Sequence, residues 1–103
     1  MQQRIRLCAV HELGPGTRQV IEINEVEEVL VLNLDGTIYA ISNICPHEGA
    51  ALERGHVDGT MLFCPLHRWG FALTTGRCID DASVCARVYT VEAHDDALYV
   101  CVP

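Results

Sequence analysis

Nowhere in these 103 residues does an apolar run approach the length of roughly 20 that a membrane-spanning helix needs. The first ten residues, MQQRIRLCAV, contain neither an apolar export core nor a small-residue cleavage site. The expectation is a cytoplasmic protein with no membrane partner. Basic residues are scarce and scattered: seven Lys and Arg against fourteen Asp and Glu leave a formal net charge of −7. Nucleic-acid affinity rests largely on neutralising phosphates, so no nucleic-acid partner is expected. An acidic surface suits a basic patch on another protein, approached by long-range steering that salt weakens. Internal repeats, low-complexity tracts, linkers and sustained helical periods are also missing. The length predicts one domain, residues 1–103, with a modest core, and half the residues are apolar, as in a globular chain.

Six cysteines would suit a disulfide framework in an exported miniprotein, but no export signal accompanies them. Cys8, Cys78, Cys85 and Cys101 lie in apolar, strand-like contexts and read as small buried hydrophobes in a reducing compartment. Cys45 and Cys64 differ, because each has a histidine companion. They fall in SNICPHEGAAL (residues 42–52) and FCPLHRWGF (residues 63–71), both in a loop-like setting of Pro and Gly.

What surrounds these loops reads as short strands. RIRLCAV alternates, ELGPGT turns the chain, and RQVIEI and EEVLVLNL follow, rich in Leu and β-branched residues. Asp35-Gly36 and Asp58-Gly59 supply hairpin turns. WGFAL, VYTVEA and ALYVCV close the chain, the last two joined by HDD, while GAALERG offers at most one helical turn. Frequent turn signals between short strands predict an all-β antiparallel sandwich or barrel. A hairpin at Asp58-Gly59 returns its ends to one place. The sixteen residues from Glu48 to Phe63 thereby gather both Cys–His loops at one end of the sheet.

The pattern Cys45-x-His47, spacer, Cys64-x-x-His67 offers two thiolates and two imidazoles, which suit zinc or an iron–sulfur cluster. Zinc fingers of this composition usually pair Cys with Cys and His with His in separate segments. Here each loop contributes one of each, which suits a two-iron cluster.

C-P-H-x-G-A-x-L, the spacer and C-P-L-H-x-W-x-F together resemble the Rieske [2Fe–2S] family, from LDGTIYAISNIC through TTGRC to the terminal hairpin. The resemblance implies a Rieske-like antiparallel β-sandwich whose cluster-binding subdomain is formed by two loops, about 43–52 and 63–71, at one end. It implies one [2Fe–2S] cluster with Cys45 and Cys64 on the inner iron and His47 and His67 on the outer. Replacing two thiolates by neutral imidazoles raises the potential, and loss of an imidazole proton would lower it again at high pH. His11, His56 and His94 lack a Cys companion and read as surface residues. Pro46 and Pro65 stiffen the loops, Gly49 permits close backbone approach, and Trp69 and Phe71 either shield the site or pack the core.

High-potential members of the family carry an extra disulfide and two hydroxyl groups near the cluster. The equivalent positions here are Ala50 and Leu66, and Trp69 and Phe71. Without those hydrogen bonds the potential is expected near the low end of the family, about −150 mV. The resemblance then implies a ferredoxin of multicomponent aromatic-ring-hydroxylating dioxygenases. Such a protein carries single electrons from a flavin-containing reductase to a terminal oxygenase, and is itself not an enzyme. TTGRCIDD and VYTVE also resemble the small subunit of NAD(P)H-dependent assimilatory nitrite reductase, which is the second reading; a zinc-stabilised interaction module is the third. One departure from the family is the absence of proline in DDASVCARVYT, where a covering loop is expected. The cover is then looser or built differently over residues 82–86, with Cys85 a buried thiol or a neighbour of the cluster. Docking is expected around His47 and His67, helped by Glu48 and Arg68.

Overall fold

The computed structural model describes residues 3–47, 49–66 and 68–102. Its strands are β1 (Gln3–Ala9), β2 (Arg18–Glu22), β3 (Glu28–Leu34), β4 (Thr37–Ser42), β5 (His56–Asp58), β6 (Met61–Phe63), β7 (Gly70–Ala72), β8 (Val88–His94) and β9 (Ala97–Val102). Two single-turn 3-10 helices, Val10–Glu12 and Leu52–Arg54, interrupt them, the second within GAALERG. The named strands all pair antiparallel, as expected.

A six-stranded sheet runs β1-β9-β8-β4-β3-β2, and a three-stranded sheet runs β5-β6-β7. β8 is shared within the larger sheet: Val88 and Tyr89 pair with β4, and Thr90–His94 with β9. The sheet curls at this strand. Leu7 of β1 and Leu98 and Val100 of β9 therefore pack with Val29 and Val31 of β3 in one core. The opposite face of β3 carries Leu30 and Leu32 into a second core with Ile41, Leu52, Leu62 and Phe71. Burial on both faces explains why EEVLVLNL shows a continuous apolar run instead of alternation. Strands of three residues are too short to stand alone. The small sheet is held through Leu62 and Phe71, cross-strand partners that are both fully buried against the larger one.

The turns follow backbone sterics. Leu34 pairs with Thr37, leaving Asp35 (φ 53) and Gly36 (φ 94) as a two-residue loop with both φ positive, as type I′ requires. The β5–β6 hairpin closes at Asp58 and Met61, so its loop is Gly59-Thr60, one residue later than expected. Gly59 (φ 62) takes the first loop position, where type II′ needs glycine. The β8–β9 hairpin uses Asp95 (φ 50) and Asp96 (φ 64), with no glycine at all.

Two cysteines depart from the expected burial. Cys8 and Cys78 are buried, but Cys85 is exposed and Cys101 is half-buried. On β9 the two-residue period sends Val100 inward and Cys101 outward, toward the carboxylate of Glu92 at 3.2 Å.

Candidate metal centre

The two Cys–His loops repeat one turn. In the first, the Cys45 amide donates to the Ala50 carbonyl and the Gly49 amide donates to the Cys45 carbonyl, both at 2.8 Å. In the second, the Cys64 amide donates to the Trp69 carbonyl at 2.8 Å, and the Arg68 amide to the Cys64 carbonyl at 2.9 Å. The fourth residue after each cysteine is left-handed: Gly49 at φ 73 and Arg68 at φ 57. Pro46 and Pro65 follow the cysteines, where no amide donor is used and a fixed φ favours the bend. Each turn sinks its cysteine to 1% exposure in the same core.

The β5–β6 hairpin brings the turns together, with His56 paired to Phe63 at its open end. The His47 ring then lies flat on Trp69 of the other loop, with centroids 3.6 Å apart and planes at 8°. Trp69 is half-buried and serves as a platform for a proposed ligand. Phe71 is fully buried and is plain core. His67 and Glu48 lie outside the described residues. Among the described residues, no three His, Cys, Asp or Glu side chains gather as a site for a single metal ion.

Asn43 anchors the first loop, a role for which ISNIC gave no signal beyond a polar residue among apolar ones. It is buried, its Oδ1 accepts from the Glu53 amide at 2.8 Å, and its Nδ2 donates to Glu28 Oε1 at 3.1 Å. Its carbonyl accepts from the Leu52 amide at 2.6 Å, tying the two ends of the loop. A buried amide must be satisfied in this way, and here the satisfaction fixes the loop.

The stretch without proline is held by hydrogen bonds. Asp80 Oδ2 accepts from the Gly70 amide at 2.8 Å, and the Ile79 amide donates to the Gly70 carbonyl at 2.9 Å, locking this segment to the second loop. Asp81 accepts from the Ser83 hydroxyl at 2.6 Å and amide at 2.9 Å. Those two bonds hold its carboxyl below the usual range. Gly76 (φ 80) lets the Ala86 carbonyl approach so closely that a Cβ would collide with it. The Cys85 thiol is directed to the Thr75 and Ala86 carbonyls at 3.7 and 3.5 Å. In and beside the two loops Ile44, Leu66 and Ile79 are exposed. His11, His56 and His94 are on the surface, as expected.

Two buried sulfurs and a surface imidazole on hydrogen-bonded turns form a soft donor set that fits an iron–sulfur group. The comparisons agree. The chain matches the Rieske [2Fe–2S] domain over residues 3–92. It is 34% identical over 90 residues to the ferredoxin component of an alkene monooxygenase system from Xanthobacter autotrophicus, spanning 85% of this chain and 72% of that one. A crystal structure provisionally designated the NADH-dependent nitrite reductase small subunit of Mycobacterium tuberculosis superposes with a TM-score of 0.89 at 28% identity, covering 100% of this chain and 97% of that chain. A chain from the complex of reduced oxygenase and oxidised ferredoxin in carbazole 1,9a-dioxygenase gives 0.85 at 28% identity, covering 94% and 91%. With its paired thiol-bearing turns and a match along most of its length, the chain belongs to the Rieske [2Fe–2S] domain family.

Proposed function

We propose that residues 1–103 act as one cytoplasmic domain, a low-potential Rieske ferredoxin that passes single electrons from a flavin-containing reductase to the terminal oxygenase of a multicomponent oxygenase system. Aromatic-ring dioxygenases are the leading class. Cys45, His47, Cys64 and His67 would hold the [2Fe–2S] cluster, which supplies a one-electron redox centre. The repeated turn, burying one thiol in each loop while His47 is held at the surface on Trp69, carries this reading. The chain's own residues exclude water from the sulfur side through Leu52, Leu62 and Phe71 and present the imidazole side to a partner. The relatives support an oxygenase partner, being ferredoxin components of alkene and aromatic oxygenase systems.

Anaerobic preparation tests the cluster. A red-brown protein with iron and acid-labile sulfide, bleached by dithionite, is expected; a colourless protein with stoichiometric zinc sinks the reading. His47→Ala and His67→Ala each abolish the Rieske-type spectrum, whereas His94→Ala leaves it unchanged. Redox titration is expected near −150 mV, since hydroxyl groups at Trp69 and Phe71 are lacking. Reconstitution with a flavin reductase and an aromatic-ring oxygenase should yield product.

The fit over the whole chain to the nitrite reductase small subunit structure favours a second reading, in which the same group is a relay inside a larger reductase. Failure of turnover together with co-purification of a large reductase subunit decides for it.

A further inference from the structure

Beside the second loop lies a cleft of about 740 Å³, lined by Arg54, Arg68, His56, Asp58, Phe63 and Pro65 and reaching Cys64. Its charge runs against that of the molecule. The chain carries −7, yet here two guanidinium groups accompany one carboxylate. Three of the other five arginines are committed: Arg4 to Glu92 at 3.0 Å, Arg87 to Glu27 at 3.1 Å, and Arg18 to the Glu53 and Gly55 carbonyls at 3.0 and 2.9 Å. Among the described residues, neither Arg54 nor Arg68 makes an ion pair or side-chain hydrogen bond, with Asp58 or any other acid.

Arg68 is also costly where it stands. Its counterpart in the first loop is glycine, and a left-handed residue with a side chain is disfavoured because its Cβ crowds the following carbonyl oxygen. A long cation kept at such a position, beside an open cleft, points to a use beyond the stability of the fold. Guanidinium groups recognise carboxylates through parallel N–H···O bonds, which apolar neighbours such as Phe63 and Pro65 strengthen by displacing water.

We propose that the cleft seats an acidic segment, one or two Asp or Glu side chains, of the protein with which this chain exchanges electrons. The proposal rests on the carrier reading above, because Cys64 places the seated segment against a thiol-bearing turn. A free small anion is a poorer occupant, since the net charge repels it on approach. A partner brings basic surface around its acidic projection and so matches both the rim and the cleft.

The test titrates holo-protein at low salt, by fluorescence anisotropy, with labelled hexapeptides in which two central glutamates or two glutamines are flanked by lysines. The glutamate peptide is expected to bind about tenfold tighter, a difference of about 1.4 kcal/mol. Arg54→Gln/Arg68→Gln erases that preference, while Arg6→Gln/Arg77→Gln, which removes an equal charge elsewhere, preserves it. Unchanged visible and far-UV spectra verify that the double variant is folded. Equal binding of both peptides overturns the proposal. So does displacement of the glutamate peptide by inorganic phosphate at equimolar concentration, which would mark a small-anion site. Iron and sulfide are measured on the same samples: protein with a full cluster and no glutamate preference removes the cleft alone, whereas protein without sulfide removes the carrier reading.

Discussion

Glu92 shows how much a single side chain on an open sheet surface can be constrained. The His94 ring at 2.9 Å and the Cys101 thiol at 3.2 Å donate to it, with Arg4 at 3.0 Å, and its pKa falls to about 2. The folded value is depressed, so the stabilisation is present above the ordinary 4.5 and is lost as pH falls through about 2. An NMR titration should find this carboxylate charged well below its neighbours, and His94→Gln should move its midpoint upward. Tyr89 is the opposite case: burial and its hydrogen bond to Glu27 raise its pKa to about 12. Its contribution is full below pH 10 and disappears as pH rises through about 12. Ultraviolet titration should therefore show one of the three tyrosines ionising late. Gly76 is predicted to be irreplaceable. Gly76→Ala combines left-handed strain with overpacking against Ala86, and urea denaturation should register a loss of roughly 2–5 kcal/mol. At this scale the sequence was legible where chemistry is local: a Cys beside a His announces itself. The roles of Asn43 and Gly76 depend on groups that only folding brings near, and the exposure of Cys85 and Cys101 departs from the expectation because strand-like neighbours do not say which face a residue takes.

Among the elements, the turns carry the clearest comparisons. The β8–β9 hairpin holds both Asp95 and Asp96 left-handed, whereas the β3–β4 hairpin uses Asp-Gly. Asp96→Gly should stabilise the protein by about 1 kcal/mol, a Tm rise of roughly 4–8 °C in calorimetry. The cluster-loop turns give a matched pair: Gly49→Ala should lower the Tm, and Arg68→Gly should raise it. Raising stability at Arg68 while abolishing the glutamate preference would separate folding from docking at one residue. Hairpin signals were readable to within a residue because positive φ limits the choice of side chain. The shift from Asp58-Gly59 to Gly59-Thr60 was not readable, since Gly fits either turn type and the register, with Val57 opposite Leu62, depends on partners that only folding brings together. Proline is absent after the second loop, and its substitute, Asp80 bound to the Gly70 amide, leaves no trace in local pattern.

Taken whole, the molecule has two cores on opposite faces of β3, and only one includes Cys45 and Cys64. Removing iron anaerobically with a chelator should therefore loosen one end and spare the other. Hydrogen exchange is expected to lose protection in 43–52, 63–71 and 78–86 while β1, β8 and β9 keep theirs; uniform loss would contradict the division into two cores. The all-β class was evident from the spacing of turns. The curl at β8 was not, because a strand shared between two pairings looks like any other strand. Both loops repeat one backbone scheme, so a group held by both would meet nearly interchangeable frames on its two sides. Any asymmetry between those sides must then be written in side chains, such as the indole of one loop lying on the imidazole of the other. A single codon is enough to retune one side without redrawing the path of the chain.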